Sequence, residues 1–151
     1  MSQTPYSPPV ARVSDVPRLQ QPKPPPVRRA VSCLWISVLI TLMGTAWQLA
    51  GLEASADIVS AATTGVVTAG IVALVAAKIG AGRGWARWLF GVLYVVGLLL
   101  WAVSLVVSPE AFLALSPLEQ ASMVVQFALQ TCAVVLLFTR ASREWFKSQG
   151  G

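Results

Sequence analysis

The chain has 151 residues, of which 56% are apolar and only 11% charged, with a net charge of +5 and a mean hydropathy of +0.69. A soluble domain of this length rarely carries so little charge, so composition places the chain in the membrane class. The excess of cations does not read as a nucleic-acid footprint, because the basic residues flank apolar stretches and no soluble domain remains to present a groove-reading element.

Residues 1–29 hold eight of the ten prolines, including the run Pro24-Pro25-Pro26, and almost no large apolar side chains. Such a segment buries too little surface to offset the entropy of ordering, which predicts a disordered, cytoplasmic, Pro-rich tail with polyproline character. Pro5 to Pro8 and Pro22 to Pro25 each fit a Pro-x-x-Pro spacing, with a solvated tether as the expected role. Four stretches then follow, at 30–50, 58–77, 88–107 and 121–139, none of which contains Asp, Glu, Lys or Arg. Each is close to the ~20 residues that carry a helix across roughly 30 Å of hydrocarbon. They are apolar on every face rather than alternating, which favours helices over barrel strands. The first run also exceeds the roughly 7 to 15 residues of a signal-peptide core, so it is read as a span.

The connections have their own signals. Asp57 is a candidate cap for the second helix, and Gly80-Ala81-Gly82-Arg83-Gly84 is a tight turn before the third. Ser108-Pro109-Glu110 predicts a short surface helix over 109–115, and Ser116-Pro117-Leu118-Glu119 reads as a capping box that starts the fourth helix near residue 117. Short connections make sequential helices antiparallel neighbours. The predicted fold is an all-α integral-membrane antiparallel four-helix bundle over 30–139. Residues 140–151 form a basic and aromatic cytoplasmic tail that continues helically from the last span.

Orientation follows from the cations. Lys and Arg number five in the leading tail, three between the second and third spans and three in the trailing tail, whereas the other two loops hold only Glu53, Asp57, Glu110 and Glu119. Basic residues near span ends are retained on the cytoplasmic side, so both termini are expected there. Arg83, Trp85, Arg87 and Trp88 at the start of the third span, and Arg143 and Trp145 after the fourth, are expected as interfacial anchors. Trp145 and Phe146 dip into the boundary in this reading while the basic residues meet anionic headgroups.

Within the spans, twelve of residues 58–77 are Gly, Ala, Ser or Thr, and Ala61, Gly65, Ala69, Ala73 and Ala77 recur at every fourth position. Small residues let helix backbones approach closely in lipid. Because steps of four drift around a 3.6-residue helix, Gly65, Ala69 and Ala73 are the expected packing face, inside the monomer or, alternatively, in a homodimer. Ser37, Thr41, Thr45 and Gln48 line one face of the first span, and Ser122, Gln126 and Gln130 one face of the fourth. Amides are costly in hydrocarbon, so Gln48, Gln126 and Gln130 are expected to turn inward as an intramembrane polar face, with Gln48 near Gln126.

Catalytic chemistry finds no purchase. The chain has no histidine, the commonest general base and metal ligand. Cys33 and Cys132 lie in different spans near the inner side, where thiols stay reduced. No catalytic, cofactor-binding or metal-ligating residues are nominated, and the chain is read as not an enzyme.

Tyr6-Ser7-Pro8-Pro9-Val10-Ala11-Arg12-Val13-Ser14-Asp15 resembles the Tyr-x-Pro-Pro-x-Ala-x-Val-x-Asp leader of small proteobacterial inner-membrane proteins. Gly82-Arg83-Gly84-Trp85-Ala86-Arg87 resembles the Gly-Arg-Asn-Trp-Ala-Arg inner loop of their four-span members, with Gly84 replacing Asn, and Leu136 to Phe146 resembles their closing segment. The resemblance implies a bacterial inner membrane and four spans, and transfers no functional residue. The expected function is a non-catalytic accessory, scaffold or protective partner of another membrane component, acting through helix or lipid contacts. The rival is an oligomeric transporter or channel subunit for a small neutral or lipophilic solute, built along the polar faces of the first and fourth helices.

Overall fold

Backbone amides have no water to bond within hydrocarbon, so an apolar run satisfies them internally by becoming helical. The computed structural model describes residues 22–50 and 56–149. These form six helices and no strand: α1 (Pro25–Ala50), α2 (Ala56–Gly80), α3 (Gly84–Val107), α4 (Pro109–Leu113), α5 (Pro117–Leu137) and α6 (Arg140–Ser148). Four stretches are long and apolar enough to cross a membrane, namely α1, α3, α5 and Ala62–Gly80 of α2. The chain is a multi-pass membrane protein built as an all-α bundle.

α1 starts earlier than the charge pattern predicts. Pro25 and Pro26 stand in its first turn, and the amides of Val27 and Arg28 both donate to the Pro24 carbonyl, at 3.1 and 3.2 Å. Proline has a helical φ already set, and its missing N–H is one that a first turn leaves unbonded anyway. The end of the proline run therefore seeds the helix, and Arg28 and Arg29 belong to α1 rather than to the tail. Over 25–29 helix replaces the expected disorder, while the rest of that expectation at 1–21, with the Pro5 to Pro8 spacing, lies outside the described residues.

α1 makes the two extensive interfaces, one with α2 and one with α5, and α3 closes the ring through thinner contacts with α2 and α5. Sequential helices are thus antiparallel neighbours. α2 buries Val75 together with a face of Ala62, Ala69, Ala76 and Ile79, along which Gly65 and Val72 are half-buried. Steps alternate three and four, the repeat of a left-handed seam with shallow crossing. A stripe of strict fours slips about 40° per step at 3.6 residues per turn. Accordingly Gly65 and Ala69 lie on the seam, Ala73 is half-buried beside it and Ala77 is exposed.

The α2–α3 turn closes through a left-handed glycine. Gly82 has φ 79°. Its amide donates to the Ile79 carbonyl at 2.9 Å, and the Arg83 amide reaches the Lys78 carbonyl at 3.1 Å. Both bonds satisfy carbonyls that the end of α2 would otherwise leave open, in a Schellman arrangement. At the far end, the Ser116 amide donates to Glu119 Oε2 at 2.9 Å and the Glu119 amide to Ser116 Oγ at 3.3 Å, forming the expected capping box with Pro117 behind it. Gln120 Nε2 donates to the carbonyls of Phe112 and Leu115, at 3.2 and 3.1 Å, and so ties the short helix α4 to α5. The expected cap at Asp57 rests on a side chain outside the described residues.

The trailing segment departs most from expectation. It does not continue the last span: α5 stops at Leu137, and α6 restarts after Phe138 and Thr139. Thr139 Oγ1 and Ser142 Oγ both donate to the Leu136 carbonyl, at 2.9 and 2.7 Å, which stabilises the break by satisfying an open helix-end acceptor. α6 then folds beneath the bundle. Its apolar side chains Trp145 and Phe146 join Val27, Ala30, Leu34, Val75, Ile79, Phe90 and Leu137 in one core at the end that carries Gly82 and the basic residues. Trp145 is 6% exposed, so it is a core residue and not the interfacial anchor predicted for it. Burial of a large aromatic surface outweighs lipid contact here because α6 is short enough to fold back.

Candidate functional site

The polar side chains inside the membrane segments converge on the α1–α5 seam. Gln130 Nε2 donates to Ser37 Oγ at 3.3 Å, and Gln126 Nε2 donates to Thr41 Oγ1. The hydroxyls also bond along their own helix, Thr41 to the Ser37 carbonyl at 3.0 Å and Thr45 to the Thr41 carbonyl at 2.9 Å. Thr41 therefore donates to its helix and accepts from the neighbouring one. Ser37 and Thr45 are buried, and Thr45 faces the bare backbone of Gly65 on α2.

Gln48 takes a different place from the one expected. It is exposed at the end of α1, level with Glu119 in the first turn of α5 and two helical turns from Gln126. The two seam pairings share one antiparallel register, and it carries Gln48 to the level of Glu119. Ser37 to Thr41 is four residues on α1, matched by four from Gln130 to Gln126 on α5; Thr41 to Gln48 is seven, matched by seven from Gln126 to Glu119. That equality of spacing puts Gln48 level with Glu119 rather than with Gln126. A hydrogen bond of this kind contributes on average about 0.6 kcal/mol in a membrane, so the ladder specifies register more than it adds stability.

Two further contacts carried no signal in the sequence. Tyr94 of α3 and Thr131 of α5 share a hydrogen bond of 2.6 Å. Trp101 packs its ring 4.7 Å from that of Phe127 and 6.4 Å from that of Phe112, which draws α4 against α3 and α5. Single polar or aromatic residues within an apolar run do not disclose which helix they face.

At the basic end, Arg83, Trp85, Trp88 and Arg143 are exposed, and Trp88 sets its ring edge-on to Phe138 at 5.1 Å. Arg87 behaves differently. Its guanidinium carbon stands 5.1 Å from the centroid of the Phe146 ring, and its Nε and Nη1 are buried without a hydrogen-bond partner. The cation–π contact to Phe146 takes the place of those bonds and links α3 to α6. The remaining charge pair among the described residues, Arg140 with Glu144 at 2.9 Å, is exposed within one helix and contributes only tenths of a kcal/mol.

A second grouping appears at the same end. Cys33 of α1 and Cys132 of α5 lie at nearly the same level of the α1–α5 seam, in the register set by the Thr41–Gln126 and Ser37–Gln130 pairs. Both line a groove of about 570 Å³ together with Arg28, Arg29, Ser32 and Leu136. The chain matches no protein-family model, no curated protein and no solved structure.

Proposed function

We propose that this chain is a non-catalytic bacterial inner-membrane protein, with both termini cytoplasmic, that acts through helix or lipid contacts as an accessory, scaffold or protective partner of another membrane component. The observation that carries this reading is how the faces are divided. Intramembrane amides and hydroxyls bond one another along α1 and α5, and the small-residue seam of α2 is occupied within the chain. What faces outward within the spans is overwhelmingly apolar. α3 is the span least covered by its neighbours, presenting Val92, Val96, Leu99, Leu100 and Val103 to its surroundings. A helix so thinly held by its own bundle is suited to lipid or to a partner helix, and the basic end suits anionic headgroups.

The resemblance of the leader, the inner loop and the closing segment to small proteobacterial four-span proteins supports the bacterial inner membrane as the location. A photo-reactive residue at Val96 or Leu99, activated in native membranes, tests the partner reading. A reproducible protein adduct from α3 supports it, and adducts to lipid alone count against it. The transporter rival needs Gln126 and Gln130 to face a permeation path, whereas both donate to α1. Solute flux in liposomes that Gln126→Leu and Gln130→Leu abolish would overturn the present reading.

A further inference from the structure

The only two cysteines of the chain lie on different helices, 99 positions apart in sequence. Packing of α1 on α5 nonetheless brings both to the wall of one groove, at nearly the same level of the bundle. Neither is sealed in the core: Cys33 is half-buried and Cys132 exposed, and both open into the groove beside Arg28 and Arg29. Ser32 is occupied, its hydroxyl donating to the Arg28 carbonyl at 3.1 Å. Leu136 makes the wall beyond the sulfurs apolar.

We infer that Cys33 and Cys132 form a two-coordinate binding site for a soft monovalent cation, copper(I). Thiolate sulfur selects soft ions such as copper(I). Coordination number then discriminates among them. Among the described residues no group of three or more His, Cys, Asp or Glu gathers anywhere, so the pair has no third or fourth ligand to offer. Structural zinc takes four ligands and is poorly served by two, whereas copper(I) accepts two sulfurs.

Binding breaks two S–H bonds, forms two S–Cu bonds and releases two protons to solvent at the groove mouth, with no change of oxidation state. The dithiolate complex carries one negative charge. Arg28 and Arg29 line the same groove and supply the compensating field. The two arginines are exposed, and the ion pair found among the described residues lies elsewhere, between Arg140 and Glu144. The metal would bridge α1 and α5 beside the core at the basic end, adding a crosslink at the interface that the polar ladder continues.

The test uses the full chain, purified in detergent, reduced and kept anaerobic, and titrated with copper(I) from a chromogenic chelator. The expected result is one copper per chain, with both thiols protected from maleimide. Cys33→Ser and Cys132→Ser should each abolish transfer from the chelator. Arg28→Gln combined with Arg29→Gln should weaken binding roughly tenfold at unchanged stoichiometry, while Lys78→Gln, a basic residue outside the groove, leaves it unaltered. Copper that stays on the chelator with the wild-type chain overturns the assignment, as does wild-type stoichiometry in either serine variant. Maleimide protection is read on the wild-type chain, so the result stands if a serine variant does not fold. A chain that forms the Cys33–Cys132 disulfide on oxidation but holds no copper when reduced also overturns it.

Discussion

Gly65 is the point of closest approach between α1 and α2, and a single methyl group tests it. A Cβ built at Gly65 overlaps the Thr45 hydroxyl and stands 3.5 Å from Thr45 Cβ and Cγ2. Turning the threonine aside breaks the 2.9 Å bond from its hydroxyl to the Thr41 carbonyl. Inserting a methyl into such a contact costs about 1–3 kcal/mol, against which Gly→Ala gains about 1 kcal/mol of helix propensity. Gly65→Ala should therefore destabilise the chain by up to ~2 kcal/mol. In a Thr45→Ala background Oγ1 and Cγ2 are gone, and the same change should be neutral or stabilising. The coupling between the two sites is then about 1–3 kcal/mol. Gly70, on the same helix, has nothing within 4 Å of its built Cβ, so Gly70→Ala controls for propensity. Reversible unfolding of the purified chain in mixed micelles, run as a double-mutant cycle, measures these terms. A coupling below ~0.5 kcal/mol would refute the contact.

Other outcomes follow from the same geometry. Gln126→Leu and Thr41→Val should be non-additive in that unfolding assay, with a coupling of about 0.6 to 1.7 kcal/mol; additive losses would mean that the two side chains do not meet. Gly82→Ala forces a side chain into φ 79° and places its methyl 3.3 Å from the Trp145 ring, so it should cost about 1–2 kcal/mol or more. Gly80→Ala, with nothing nearby, should be tolerated, and equal effects at the two glycines would contradict the turn. Phe146→Ala removes a ring that is 1% exposed and lies under Arg87, at a cost of about 3–5 kcal/mol. It should also loosen α6, so that trypsin cuts rapidly after Arg140 and Arg143, which are exposed but held in helix, whereas Trp85→Ala at the exposed surface should not.

Much of the architecture was legible in residue order because it depends on local quantities. The length and neutrality of four apolar stretches dictate helices that can cross a membrane. Ser116, Pro117 and Glu119 sit at the spacing a helix start requires, and the box forms there. Pro109 opens the predicted short helix, and Gly82 supplies the one left-handed residue of the α2–α3 turn. The polar residues of α1 and α5 also announced that they would be partners, since their spacings match. Helix direction and approximate depth put Gln48 beside Gln126, but Gln126 pairs with Thr41, seven residues before Gln48 on the same helix, so the two amides stand two turns apart.

Other features belong to the packed molecule alone. Whether Trp145 faces lipid or core depends on a break at Phe138 and Thr139 that no strong helix breaker marks, and on whether α6 finds a cavity under the bundle. Gly65 and Ala69 reach the seam while Ala77 faces out because burial follows a 3.5-residue repeat along a helix that is small on nearly every side. That Cys33 and Cys132 line one groove depends on how far α1 and α5 are rotated and slid against each other. Chain order alone determined how many helices cross the membrane and the signals that start several of them, because hydropathy and capping act over a few residues. Rotation and axial register were decided only when all the helix interfaces formed together, since each interface constrains the others and none is written in a single segment.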